Sequence, residues 1–352
     1  MNRHLKTFTL LLGEANAIIT NPKNVYYFTG IKSEDICLII IKNDVHLLVN
    51  ELEYDYIIQN HNIPEVDIKL SRSFDSDILT ILSNYESLEI LMETNTSYTF
   101  GNKLKDAFPN HKFLITNRLD KLISVCRASK SDKELSYIKT ACNHAENSLL
   151  KLISFIKPGI AEKDIEVELV KYITENGNKP YDGSILIHSG SNTSLVHGES
   201  GNRVIEKNDL ILIDFGVKYK EYNCDITRMI SVGKPSEEIQ KAYDTMLEIY
   251  KYITENITEN PSLLSAKTSL MIANSGIPGV VMNHAIGHGV GLDLHEHPTV
   301  GSHEIHDNMV LAIEPGLYYP NRYGVRIENT VLIQNNKCKI INDIIPNDLI
   351  IV

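Results

Sequence analysis

Short apolar runs alternate with amphipathic segments through the first third of the chain. Asn16 to Thr20, Ile36 to Lys42, Val45 to Val49, Leu88 to Met92 and Phe113 to Thr116 read as buried strands. Between them, Glu51 to Gln59, Asp77 to Ser83 and Tyr98 to Phe108 have the spacing of half-buried helices. This alternation predicts an α/β layer domain. The region holds no phosphate loop and no cluster of histidines and carboxylates. It is therefore expected to shape a site or an oligomer interface rather than to do chemistry.

The polar segment CRASKSD, starting at Cys126, breaks the pattern. Ser131 followed three residues later by Glu134 is a capping-box signature. A long amphipathic helix is predicted from Asp132 to about Ile156, stopped by Lys157-Pro158-Gly159. A second is predicted from Glu162 to Asn176, ended by Gly177. The domain boundary is placed near residue 126, giving a smaller α/β domain over 1–126 and a second domain over 127–352.

The second domain carries a faint internal repeat. IEKNDLILIDFG, from Ile205 to Gly216, aligns with IHDNMVLAIEPG, from Ile305 to Gly316. Ile, Asn, Ile and Gly coincide, and Asp214 falls on Glu314. Each copy is followed by a β-rich run with another acid, Asp225 in CDITRMI and Glu328 in IENTVLI. A duplicated strand pair forming one sheet with approximate two-fold symmetry is the expectation.

A single acid ending a strand is an ordinary turn residue. Four acids gathered on one symmetric sheet repel one another, and each must be protonated, paired or metal-bound. Only Arg228 and Arg326 lie close enough in sequence to pair with them, so a pair of divalent cations answers the charge problem best. The segment NHAIGHGVGLDLHEHP, from Asn283 to Pro298, adds His284, His288, His295 and His297. Gly287, Gly289 and Gly291 flank His288 and permit close backbone approach. HEIHD lacks the gap of a HExxH zinc site, and GHGVG lacks the spacing of a dinucleotide fingerprint. DFG at Asp214 has no accompanying kinase loops.

Composition narrows the class further. The 352 residues include 45 Asp and Glu against 34 Lys and Arg, a formal charge of −11. That balance argues against a phosphate-tracking nucleic-acid binder. Five scattered cysteines without a CxxC give neither a disulfide framework nor a thiolate zinc site, and a reducing cytoplasm is the expectation. No apolar run approaches a membrane span, and Glu14 interrupts the apolar start without a cleavage site following.

The order LIDFG, CDITR, GHGVGLDLHE, IEPGLYY, GVRIENT resembles the pita-bread metallopeptidases, and within them prolidase and aminopeptidase P rather than methionine aminopeptidase. NVYYFTG at residues 24–30 resembles part of the amino-terminal domain of these proline-specific members. IKPGIAEKDIEVEL and HSGSNTSLVHG resemble segments of their catalytic domain. The resemblance implies a pseudo-two-fold pita-bread αβ catalytic domain preceded by a smaller α/β domain of creatinase/prolidase type.

Residue by residue, it implies a dinuclear metal set of Asp214, Asp225, His288, Glu314 and Glu328, with Asp225 and Glu328 bridging. His197 matches the family's substrate-side histidine, although Val196 stands where many members have proline. His295 matches a second histidine at the scissile carbonyl, and Arg326 an arginine at the substrate side that would steady Glu328. The oxygen-rich, thiol-free shell favours Mn²⁺ or Co²⁺, with Zn²⁺ or Fe²⁺ also compatible.

The implied reaction is hydrolysis of the bond before proline by a metal-bridging hydroxide, with Glu314 moving the proton and His295 stabilising the oxyanion. The implied substrate is an Xaa-Pro dipeptide, and the implied assembly is a homodimer. Some prolidases carry an arginine just after the HExP segment to grip the free carboxylate; Thr299 stands there, leaving Arg322 or a partner's cation as candidates. Three other readings stay open: an aminopeptidase P acting on longer peptides, a creatinase-like C–N hydrolase, and a non-catalytic pita-bread binding module.

Overall fold

Ile36–Ile41, six consecutive buried apolar residues, forms an inner strand of a mixed six-stranded sheet in the amino-terminal part of the chain. The structure is a computed structural model that describes residues 3–42, 44–175, 177–277 and 279–352. The chain divides into two compact units, Met1–Arg127 and Ala128–Val352.

In the first unit the strands are β1 (Asn16–Ile19), β2 (Ile36–Ile41), β3 (Asp44–Asn50), β4 (Asp67–Ser71), β5 (Glu89–Met92) and β6 (Lys112–Ile115). Their order is β4-β3-β2-β1-β5-β6, antiparallel across β1–β2–β3 and parallel elsewhere. The helices are α1 (Arg3–Leu12), α2 (Pro22–Thr29), α3 (Glu51–Asn60), α4 (Phe74–Leu82), α5 (Tyr98–Ala107) and α6 (Asn117–Ala128). Four of these elements, α1, α2, β4 and α6, escape the periodicity reading. α2 nevertheless has a full start and stop: Asn21 caps the amides of Lys23 and Asn24, Pro22 opens it, and Gly30 ends it at φ 72°.

The second unit opens with α7 (Asp132–Ile153) and α8 (Glu162–Thr174). At the start of α7 the Glu134 carboxylate accepts the Ser131 amide at 2.8 Å, completing the capping box. The expected end of the next helix at Asn176 lies outside the described residues. Then come β7 (Lys179–Pro180), β8 (Leu186–Ser189), β9 (Leu210–Phe215), β10 (Val217–Tyr219), β11 (Tyr222–Asn223) and β12 (Ile226–Ser231). α9 (Glu237–Glu255) and α10 (Pro261–Ala273) separate these from a second set. That set is β13 (Gly287–Gly289), β14 (Glu296–Thr299), β15 (Val310–Ile313), β16 (Gly316–Tyr319), β17 (Tyr323–Arg326), β18 (Asn329–Gln334), β19 (Lys337–Ile340) and β20 (Ile350–Ile351).

Both copies of the repeat are antiparallel pairs, β9 with β12 and β15 with β18. The expectation of one sheet needs correcting. The copies lie in separate sheets, β20-β12-β9-β8 and β14-β13-β15-β18-β19, joined by an isolated bridge between Thr227 and Glu328. Side chains hold this seam where main-chain ladder bonds would otherwise run. The buried Arg228 guanidinium donates to the carbonyls of Thr227 (3.0 Å) and Glu328 (2.7 Å). The Thr330 hydroxyl accepts the Asp225 amide at 3.0 Å and donates to the Asp225 carbonyl at 2.8 Å. α9 covers the sheets with a stripe of Ala242, Tyr243, Met246, Ile249, Tyr250 and Ile253, the spacing of one buried helix face. Every residue of β9 and β12 is buried, which is why LILIDF shows no polar alternation.

Candidate active site

The repeat delivers its acids to the seam. Asp214 is the next-to-last residue of β9 and lies opposite Thr227 of β12; Asp225 immediately precedes β12. Glu314 directly follows β15, and Glu328 sits between β17 and β18. His288 is the middle residue of β13, opposite Ala312 of β15. The flanking glycines serve that close approach: a Cβ at Gly287 would lie 2.1 Å from the Ala312 carbonyl oxygen. Asp225, His288 and Glu328 each offer a ligand atom, and these atoms all lie within 4.8 Å of one another.

Burial and mutual repulsion set the charges. Desolvation, then Glu328, Asp214 and Glu314, push the Asp225 carboxyl well above the usual carboxylate range. Glu328 is raised in the same way by burial, Asp214 and Glu314. Burial lifts Glu314 to about 7, and lowers His288 to about 4 with help from His295. A neutral His288 places its proton on Nδ1, which faces the Gly289 carbonyl at 3.0 Å. Its Nε2 lone pair then points at Asp225 (3.6 Å) and Glu314 (3.7 Å), beyond hydrogen-bond reach of either.

Two further contacts organise the carboxylates. The Thr227 hydroxyl donates to Glu328 at 2.6 Å. Arg326, 2% exposed, pairs directly with Asp214. This departs from the expectation for Arg326, which reaches Glu328 only through Thr227, its Nε lying 3.3 Å from the threonine hydroxyl. Its remaining donors go to the Tyr318 hydroxyl (3.1 Å) and the Val196 carbonyl (3.4 Å). An arginine so engaged and so deep is not exposed to bind substrate directly.

The four carboxylates, His288 and Arg326 line one cavity of about 220 Å³. His197 and His295 are exposed on its wall, and the His295 ring meets that of His288 edge to face with centroids 4.3 Å apart. The cavity thus gathers all eight residues singled out for the site. Two residues that sequence reasoning left unassigned, His284 and Tyr181, also line it, and Tyr318 stands behind His284. His284 Nε2 is 2.9 Å from the Tyr318 hydroxyl, and Tyr181 lies 3.5 Å from Asp214. The signal for His284 was its place four residues before His288; nothing in the sequence marked the tyrosines. Arg322 is not part of the lining. It pairs with Glu238 at 2.8 Å and stacks over Tyr319.

The donor set suits divalent cations. Four carboxylates face one guanidinium, and the buried Asp225 Oδ1 has no hydrogen-bond partner among the described residues. A neutral imidazole with a free lone pair completes a shell of oxygens and one nitrogen. Two protonated carboxyls can relieve the repulsion, but two cations relieve it with every acid ionised.

Comparison with known proteins agrees with this chemistry. The family model "Metallopeptidase family M24" matches residues 136–335, and "Creatinase/Prolidase N-terminal domain" matches residues 12–128. An Xaa-Pro dipeptidase of Pyrococcus furiosus is 35% identical over 329 residues, covering 91% of either chain. The solved Xaa-Pro dipeptidase of Bacillus anthracis superposes with a TM-score of 0.89 at 25% identity, covering 99% of this chain and 98% of that one. The X-Pro aminopeptidase of Thermotoga maritima superposes with a TM-score of 0.86 at 26% identity over 100% of both chains.

Proposed function

This chain belongs to metallopeptidase family M24, and we propose on that premise that it hydrolyses the peptide bond before proline in Xaa-Pro dipeptides. The observation that carries the reading is the convergence of four carboxylates and His288 in one cavity with His197 and His295 on its wall. Its volume of about 220 Å³ falls below the roughly 300–1,000 Å³ of pockets for drug-sized ligands, which favours a short substrate. An Xaa-Pro bond is a tertiary amide with no N–H, so peptidases that read extended backbone handle it poorly.

Asp214, Asp225, His288, Glu314 and Glu328 would hold two divalent cations per chain, Mn²⁺ or Co²⁺ by the preference of their oxygens. When bound, such a pair supplies Lewis acidity and lowers the pKa of a water. Glu314 Oε would accept a proton from the attacking water and deliver it to the departing proline nitrogen. His295, whose partial desolvation lowers its pKa and so favours the neutral imidazole, donates its N–H to the carbonyl oxygen as that atom gains charge. His197, also on the cavity wall, orients the substrate. No helix among the described residues is long and apolar enough to cross a membrane. We place the enzyme in the cytoplasm as a homodimer, on its cysteine usage and the family resemblance.

A second reading, an aminopeptidase P for longer peptides, is favoured by one observation. Arg326 is the only guanidinium in the cavity lining among the described residues, and Asp214 occupies it. The chain's own cavity therefore offers no free arginine to a dipeptide carboxylate, and on the first reading the partner subunit supplies the cation. Cleavage of Leu-Pro, Leu-Pro-amide and Leu-Pro-Gly separates the two. A gripped carboxylate is worth about 1.5–3 kcal/mol, so Leu-Pro is expected to lead by roughly 10- to 150-fold in kcat/KM. Equal or faster cleavage of the tripeptide would move the protein to the second reading.

A further inference from the structure

We propose that Glu162 is a positioning residue for His197, acting through the loop that carries it. The inference rests on the reading of the cavity as a peptidase site and deepens it. Glu162 is the first residue of α8, is fully buried, and lies outside the cavity lining. Its carboxylate closes both feet of the loop running from Ser189 to Gly201. Oε1 accepts the Ser189 amide and hydroxyl, both at 2.7 Å, and the Asn192 side-chain amide at 3.1 Å. Oε2 accepts the Gly201 amide at 3.1 Å. One charged group thus fixes the span from which Val196, His197 and Gly198 enter the cavity.

The remainder of the loop is seated as tightly. Thr193 Oγ1 accepts the Gly324 amide at 2.8 Å, and a Cβ at Gly324 would lie 2.1 Å from the Thr193 carbonyl oxygen. A Cβ at Gly198 would meet the His188 ring at 3.1 Å, so the residue after His197 rests on β8. Arg203 bonds the Ser189 hydroxyl at 2.6 Å from its other side. An apolar residue could begin α8 without the desolvation cost of a buried carboxylate. What the carboxylate adds is a set of charge-assisted acceptors aimed at this one loop. Gln keeps the shape but turns a donor toward groups that already donate, so Glu162→Gln loosens the loop without leaving a cavity.

The test is a double-mutant cycle on the metal-loaded enzyme with Leu-Pro. Glu162→Gln is expected to keep its metal content and lower kcat/KM by on the order of 10- to 100-fold, the scale of a small misplacement. In a His197→Ala background the same change is expected to cost less than about 2-fold. Ser189→Ala, a milder loosening that serves if Glu162→Gln does not fold, should show a smaller loss that vanishes in the same background. Losses that multiply, or loss of metal with Glu162→Gln, would overturn the proposal. Amide hydrogen exchange supplies a readout independent of activity. Glu162→Gln, or Ser189→Ala in its place, should accelerate exchange across residues 190–200 and leave β9 and β15 protected. Unchanged exchange there would overturn the proposal even if the wild-type enzyme cut no Xaa-Pro peptide, an outcome that would by itself refute only the proposed substrate.

Discussion

Stripping the site of divalent cations should make the fold sensitive to alkali. With no cation present, Glu314 holds its proton to about 7 against an ordinary 4.5, and burial raises Asp225 and Glu328 as well. A carboxyl whose folded pKa is raised binds a proton that the unfolded chain has already released. Stability therefore falls as pH rises from the unfolded pKa to the folded one, by about 1.4 kcal/mol per pH unit for each group. For Glu314 the 2.5-unit rise amounts to about 3 kcal/mol in all. The histidines lowered by burial, His284 and His288 from 6.5 to about 4 and His188, His295 and His297 in the same direction, work in the opposite sense, adding stability until the unfolded imidazoles have released their protons by about pH 7.5.

Above about pH 7.5 the histidines no longer contribute, and the raised carboxyls set the slope. From pH 7.5 to 8.5 Glu314 has little proton left to lose, and Asp225 and Glu328, raised by burial and by neighbouring carboxylates, remove stability for as long as they stay protonated, at most about 1.4 kcal/mol each over that unit. The chain has no tryptophan, so urea unfolding is followed by far-ultraviolet circular dichroism. Metal-free protein should lose stability over that unit of pH, by at most about 3 kcal/mol, and saturating Mn²⁺ should reduce the slope. Equal stability of the metal-free protein at both pH values would refute the reasoning.

Four substitutions probe the rest of the site. His295→Ala should keep its metal, measured by atomic absorption, and lose about 10²–10³-fold in kcat; loss of metal would mean that His288 and His295 have exchanged roles, whereas Asp225→Asn should lose metal and rate together. Thr227→Val removes the hydroxyl between Arg326 and Glu328 and should weaken metal binding by about 10- to 100-fold in a calorimetric titration. Gly287→Ala sets a Cβ 2.1 Å from the Ala312 carbonyl and should destabilise the fold by at least about 2 kcal/mol, read from its urea midpoint.

Much of this arrangement was legible in the sequence because burial leaves a strong pattern. LILID and VLAIE are apolar without interruption until the acid, and only strands covered on both faces read that way. The metal-site geometry was less legible where it depends on side chains crossing between strands. That Arg228 and Thr330 would hold two sheets at a seam, and that Arg326 would bind Asp214 rather than Glu328, follows from three-dimensional proximity alone. β4 was missed because DIKLS is a half-exposed edge strand. α2 was missed for a different reason: its Asn21-Pro22 start and Gly30 stop were present, but the periodicity of so short a helix is weak. α6 runs into CRASKSD as far as Ala128 before the chain breaks, so a polar segment marked the end of a helix and not a linker.

Release of free proline from Leu-Pro, followed while metal-stripped protein is titrated with Mn²⁺ or Co²⁺, tests the central claim most directly. The account expects no hydrolysis without metal, a rate that rises to saturation at two ions per chain, and loss of that rate on chelation. Undiminished hydrolysis by metal-free protein, or two bound ions with no release of proline, would contradict it.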